Sequence, residues 1–436
     1  MARPPPDTTP GTAPRTIPRA IPRAIWVLGF VSMLMDISSE MIHSLLPVFM
    51  VTALGASAFT VGLIDGAGEA TALIAKLVSG TWSDRMGRRK PLAVAGYALG
   101  ALSKPLFALA GSPGMVLGAR LIDRVGKGLR GAPRDALVAD IAPTEVRGAA
   151  FGLRQSLDTV GAFVGPLLAL GLMLLWHNDF QAIFWVAIVP GLMAVALLAL
   201  GVREPEHPPL AASAGRIAPE IAPARPPSRL AIPALPAACW WVVALGGVVT
   251  LARVSEAFLV LRAQHAGLGL AWTPLVLIAM NLVYALAAYP LGRLADRVAP
   301  LRLLALGMGV LVMADLVLAW APHMGALGAG VLLFGLHMAM TQGVLAAMVA
   351  ASAPPSLRGT AFGWFNLVSG VAMLVSGGAA GLLWDHWGPA STFLSSAVLA
   401  LGALAVIGAI RPTQPPGAKP AHTPRPAGRP TPGAGR

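Results

Sequence analysis

Charge is scarce in this sequence: 12% of its 436 residues are Asp, Glu, Lys or Arg, against about 25% in ordinary soluble domains. With 56% hydrophobic residues and a mean hydropathy of +0.70, a water-soluble globular fold is excluded. Cysteine is nearly absent too. Cys239 stands alone, so no intramolecular disulfide can form, and no Cys/His cluster has metal-ligand spacing. Redox and zinc chemistry are set aside, and no metal or other cofactor is expected. No GxxxxGK[ST] run occurs, which argues against an ATP-driven pump built on a phosphate loop.

What the sequence does contain is long apolar segments. Setting aside a Pro-rich basic tail (1–23), a Pro-rich middle (202–237) and a polar tail (411–436) leaves 351 residues, room for about twelve membrane spans. Hydropathy and breakers place helices near 24–53, 58–82, 91–110, 114–138, 148–175, 180–201, 238–262, 272–294, 300–320, 325–351, 360–384 and 389–410. The 24–53 segment is too long for a signal-peptide core and carries Asp36 and Glu40, so it is expected to remain as the first span. Both tails and the middle segment are too poor in apolar residues to fold alone.

Turns near 55–57, 111–114, 177–179, 321–323 and 387–389 are nearly free of Lys and Arg. The alternate turns hold Arg85, Arg88, Arg89 and Lys90, then Arg147, then Arg293, Arg297 and Arg302, then Arg358. The positive-inside rule puts these turns and both termini in the cytoplasm. Arg262, near the outer end of the seventh span, is the one misfit. The net charge of +13 is therefore read as topology, and nucleic acid is not expected as a partner. Trp82, Trp240, Trp241, Trp384 and Trp387 fall at helix ends and read as an interfacial belt.

The chain also repeats itself. Gly80 to Arg85 (GTWSDR) recurs as Gly292 to Arg297 (GRLADR) at an offset of 212, and Arg147-Gly-Ala-Ala-Phe151-Gly152 recurs as Arg358-Gly-Thr-Ala-Phe362-Gly363 at 211. Two six-helix halves, 24–201 and 238–410, joined by the segment 202–237, follow from that spacing. Parallel halves of this kind hold a substrate site between them near the middle of the membrane.

The run Gly80-Thr-Trp-Ser-Asp84-Arg85-Met-Gly87-Arg88-Arg89-Lys90 resembles the loop signature of the major facilitator superfamily, and Gly292 to Arg297 resembles its degenerate second copy. The resemblance covers roughly residues 24–410 and implies an all-α polytopic membrane protein, twelve transmembrane helices in two pseudo-symmetric bundles. It implies a cytoplasmic gate of Gly80, Asp84, Arg85, Gly87, Arg88, Arg89 and Asp135 with Gly292, Asp296 and Arg297. Arg120 with Gly126 is similar to the superfamily's helix-four pattern, and Asp123 to Asp135 resembles a bacterial subgroup with the run DRxGKGxRxxPRD. Gly161, Gly165 and Pro166 are similar to the start of an exporter motif that forms a hinge in helix five, with Ala169 and Leu170 where its closing glycines stand.

A charge at bilayer depth costs several kcal/mol unless paired or hydrated, so each is a functional candidate. Asp36, Glu40 and His43 are spaced to share one face of helix one, as are Asp65 and Glu69 on helix two, with Lys76 further along. Helix four carries Arg120, Asp123, Arg124, Lys127 and Arg130, and helix five Arg154 and Asp158. The second half offers chiefly Arg253 and Glu256, Asn281, Tyr284 and Asp315, so the first half is read as the ion-handling one. The proton-coupling candidates are Asp36, Glu40, Asp65, Glu69, Asp123 and Asp158, with Glu40 or Asp36 against Arg124 as the first pairing. Arg120, Arg124, Lys127, Arg130, Arg253 and Glu256 are the substrate-binding candidates, since planar Arg forks suit carboxylate or phosphate.

The leading expectation is a secondary active transporter in a bacterial inner membrane that exports a small organic solute by proton antiport. Proton-coupled import of an anion (carboxylate, organophosphate or metal chelate) is the alternative, and a non-transporting sensor a third. No nucleophile–base pair stands out, so an enzyme is not expected. The expected partners are a small-molecule substrate, protons and the lipid bilayer, with the chain acting as a monomer.

Overall fold

The computed structural model describes residues 21–86, 89–143, 146–203, 235–295, 298–354 and 357–409. Most of both tails and of the 202–237 segment therefore lies outside the described residues, as do Gly87, Arg88, Asp296 and Arg297 of the expected gate. Among the described residues there is no strand. The helices are α1 (Arg23–His43), α2 (Leu46–Thr52), α3 (Ala58–Met86), α4 (Lys90–Ala108), α5 (Pro113–Ile141), α6 (Arg147–Leu175), α7 (Phe180–Val186) and α8 (Ile188–Gly201). They continue as α9 (Ala237–Ala252), α10 (Glu256–His265), α11 (Pro274–Ala295), α12 (Pro300–Trp320), α13 (Met324–Ser352), α14 (Arg358–Trp387) and α15 (Pro389–Ala409).

Among the described residues, nine helical stretches are long and apolar enough to cross a membrane. The long helices α3, α4 and α5 fall short of that measure because charged side chains lower their hydropathy. Three spans that the sequence reads as single helices are each broken in two: α1–α2, α7–α8 and α9–α10. Two of these breaks have a proline cause. Pro47 and Pro190 each lack an N–H and crowd the carbonyl four residues back, at His43 and Val186, where α1 and α7 end.

The third break needs another explanation. Ser255 caps α10 by accepting from the Ala257 N–H at 3.2 Å, and Arg253 turns extended. The carbonyls this frees are taken up by hydroxyls from two other helices: Ser376 donates to Arg253 at 3.0 Å and Ser396 to Ala252 at 2.6 Å. Irregular backbone at membrane depth persists where protein groups satisfy it in this way.

Helices α1 to α8 form one bundle and α9 to α15 the other. In the first, α1 packs on α6 and α8, and α5 on α3 and α4; in the second, α12 packs on α13 and α15, and α13 on α11. The bundles meet where α3 runs along α14 and α6 meets α11. Near the start of α3 the contact is backbone to backbone. A Cβ at Gly62 or Gly377 would overlap the other residue's carbonyl oxygen, so only glycine permits this approach. Beside it, Asp385 of α14 accepts from the Ala58 and Phe59 N–H groups at 2.9 Å each, capping α3 from the opposite bundle.

Arg262, the misfit in the charge pattern, donates to the carbonyls of Leu318 at 2.8 Å and Ala321 at 3.3 Å. It is a cation placed on the end of α12, where free carbonyls gather. Trp82, Trp241 and Trp387 are exposed, as a belt requires. Trp384 instead packs on Phe258 and Phe393, and Trp240 on Trp364, so these two belong to the packed interior rather than the belt.

Candidate functional site

A cavity of about 650 Å³ lies between the bundles. The first bundle supplies most of its wall: Asp36 and Glu40 of α1, Glu69 and Lys76 of α3, Lys127, Arg130, Arg134 and Asp135 of α5, and Gln155, Asp158 and Phe163 of α6. The second contributes Asn281, Leu282, Tyr284 and Ala285, all of α11. Lys76, Asp135 and Gln155 sit toward the helix ends on the side where the tails emerge, so the cavity extends from mid-membrane to that side. On the opposite side the bundles are held together by the Gly62–Gly377 approach and the Asp385 cap.

The buried charges form two groups. In the first, Arg120 Nη2 donates to Asp65 at 2.5 Å, and His43 lies between Glu40 at 3.4 Å and Asp65 at 3.7 Å. Asp65 also accepts from the Ser255 hydroxyl, a direct link from α3 to the start of α10 in the other bundle. Arg124 pairs with Glu69 at 3.2 Å. The expected pairing of Arg124 with Glu40 or Asp36 is therefore not formed: α3, packed beside α5, brings Glu69 nearer, and Glu40 is held by His43 one turn along its own helix.

In the second group, Arg154 pairs with Asp158 and approaches Asp135 at 3.6 Å, while Arg134 bonds Asp135 at 3.2 Å and Ser32 at 3.0 Å. Arg89 bonds Asp140 and, at 2.9 Å, the Ala136 carbonyl, joining the start of α4 to the end of α5. Gly80, Asp84 and Arg85 fall within α3, and Gly292 faces open space on α11.

Of the substrate-binding candidates, Lys127 and Arg130 line the cavity. Arg120 and Arg124 are 2% and 4% exposed and committed to carboxylates. Arg253 and Glu256 flank the α9–α10 break and are not among the lining residues, although both act on Tyr284, which is. Of the proton-coupling candidates, Asp36, Glu40, Glu69 and Asp158 reach the cavity and Asp65 bridges the bundles. Asp123 is buried against Lys104 at 2.7 Å.

Lys104 was not singled out from sequence. It is 1% exposed and also donates to Ser39 at 3.0 Å. A lone Lys in an apolar stretch was the available signal, since an ionisable group there needs a partner. Asp385 was missed as well, because its partners lie more than 300 residues away. Gly161 and Gly165 pack against the backbone of α1 beside Asp36 and Glu40, so they let α6 approach the acidic face of α1 closely.

Residues 28–377 match the Major Facilitator Superfamily, with a further match over 270–433. The chain belongs to the major facilitator superfamily. An MFS-type transporter of Methanocaldococcus jannaschii is 31% identical over 384 residues, covering 86% of this chain and 92% of that protein. A shorter match, 30% over 160 residues, is to the multidrug resistance protein MdtH of Photorhabdus laumondii, covering 37% of this chain and 39% of that one. The nucleoside transporter NupG shares the fold, with a TM-score of 0.72 at 11% identity over 88% of this chain and 99% of that one. This member of the superfamily is thus a multi-pass membrane transporter with the two-bundle fold, and its cavity lies where such folds carry solute.

Proposed function

We propose that this transporter moves a small organic solute by alternating access, powered by the proton gradient, in a bacterial inner membrane with both termini in the cytoplasm. On that orientation the cavity opens inward and the Gly62–Gly377 and Asp385 contacts close the outer side. The observation that carries the reading is the charged wall: Asp36, Glu40, Glu69 and Asp158 line a cavity between the two bundles. A carboxylate whose cationic neighbours move between states binds and releases a proton as access alternates. The DRxGKGxRxxPRD run of α5 supplies Lys127, Arg130 and Arg134 to that wall and is read as the mark of a subgroup.

Export by antiport is supported by the partial similarity to a multidrug resistance protein. Proton-coupled uptake of an anion is supported by a different observation: Lys76 and Lys127 line the cavity and, among the described residues, no carboxylate lies within ion-pair distance of either. The test is proton flux in proteoliposomes under an imposed pH gradient, with a panel of organic anions and cations, comparing wild type with Asp36→Asn, Glu40→Gln and Arg124→Ala. Solute-triggered proton movement that Asp36→Asn loses is the expected result. Silence of the wild type across the panel would overturn proton coupling.

A further inference from the structure

The charges around the cavity do not balance pair by pair. Among the described residues, the Lys76 and Lys127 ammonium groups form no ion pair. Arg130 borders the cavity at 4% exposure, stacked 5.0 Å over Tyr97, and its Nη1 is buried with no hydrogen-bond partner. The acids are mostly spoken for: Glu40 by His43, Glu69 by Arg124, Asp158 by Arg154. Among the described acids of the lining, Asp36 alone has no ion pair of its own.

Asp36 feels Lys127, Arg130 and Arg134 from α5 and Asp158 from α6. On its own helix Glu40 is turned to His43. From α4, Tyr97 bonds Ser32 and Lys104 bonds Asp123. The other helices packed on α1, which are α2, α7 and α8, carry no titratable side chain. Val160 and Phe163 of α6 and Leu282 and Ala285 of α11 add apolar surface to the lining, interleaved with Thr159, Asn281 and Tyr284. The volume of about 650 Å³ falls within the range of small-molecule sites.

We infer that the cargo is an amphipathic organic anion, a carboxylate or phosphate group on a compact apolar body, and that it binds together with a proton on Asp36. The inference rests on the uptake reading above. The anionic head draws on Lys127 and Arg130, the same cations that face the Asp36 carboxylate, so two negative charges would compete for them. A proton on Asp36 releases the cations to the cargo, and by linkage the bound cargo favours that proton equally. Anion and proton therefore occupy the cavity together and cross in the same direction. The proton reaches Asp36 from the aqueous mouth of the cavity and leaves the way the cargo does.

The experiment uses the full chain in lipid nanodiscs and three probes that share one apolar body: 4-phenylbutyrate, 4-phenylbutylamine and 4-phenylbutanamide. Calorimetric titration in two buffers of different protonation enthalpy reads affinity and proton uptake together. The expected result is that the carboxylate binds at least about ten-fold more tightly than the amine or the amide. It takes up close to one proton as it binds. Asp36→Asn should bind the carboxylate without proton uptake, and Lys127→Gln should weaken it about ten-fold.

Amine binding as tight as that of the carboxylate, carboxylate binding by wild type without proton uptake, or no binding of any probe would each overturn the inference. The wild-type readings decide the matter even where a variant fails to fold. Proton flux driven by the amine alone, in the proteoliposome assay, would keep proton coupling and discard the anion. Carboxylate binding with proton uptake but no flux would keep the site and discard coupled transport.

Discussion

At the scale of single residues, the buried charges of this protein differ in what their removal should do. Lys104 and Asp123 are both nearly inaccessible and 2.7 Å apart, so Lys104→Met leaves a buried carboxylate without its nearest cation, with the Arg124 guanidinium no closer than 4.0 Å. A loss of about 3–5 kcal/mol is expected. Thermal unfolding in detergent should show it, and the double variant Lys104→Met/Asp123→Asn should recover most of it. Recovery is the decisive arm, because a general packing defect would persist in the double variant. Arg262 is different in kind, since its partners are carbonyls and not acids. Arg262→Met should cost less, about 1–3 kcal/mol for carbonyls left without donors. The residue types that hold charge in the membrane were legible from the sequence, as intramembrane acids and bases always are. Their partners were not: Arg124 chooses Glu69 over Glu40 because α3 lies against α5, a matter of helix packing.

At the scale of elements, the contact between α3 and α14 is the one to disturb. Gly62 and Gly377 allow backbone contact, and a side chain at either position cannot be accommodated in this state. Gly62→Leu is expected to favour the state open on the side away from the tails. Spin labels on the 53–57 and 266–269 loops should then report a longer distance distribution, and an unchanged distribution would contradict this role. Asp385→Ala removes two hydrogen bonds that cap α3 across the bundles. A cap is worth about 1 kcal/mol, so the same labels should show a several-fold shift in the same direction. The broken spans teach a related lesson. Pro47 and Pro190 announce their breaks in the sequence, whereas the break at Arg253 depends on Ser376 and Ser396 arriving from other helices.

For the whole molecule, the geometry makes a prediction about sidedness. The cavity extends toward the tails, with Lys76 exposed along it. Cys239 is the one cysteine and is buried, so a Cys239→Ser background is free of competing thiols. In that background Lys76→Cys should react with a membrane-impermeant maleimide from the side that bears the tails, and slowly or not at all from the other. Equal labelling from both sides would contradict the closed contact on the side away from the tails. Gly62→Leu should invert the preference, tying the element-scale prediction to the transport cycle by an independent readout.

The sequence by itself determined the membrane class, the all-helical architecture, the two-bundle repeat and the face of α1 on which Asp36, Glu40 and His43 lie. Each follows from hydropathy, from short-range periodicity or from a repeated motif, which are properties of neighbours along the chain. Only the tertiary structure decided which of the many cations face the cavity and which are used up in pairs. Arg120 and Arg124 are committed to Asp65 and Glu69, while Lys76 and Lys127 line the cavity and, among the described residues, form no ion pair. The physical reason is that a charge in a low-dielectric interior is governed by what lies within a few ångströms of it. Those neighbours come from helices distant in sequence, brought together by packing.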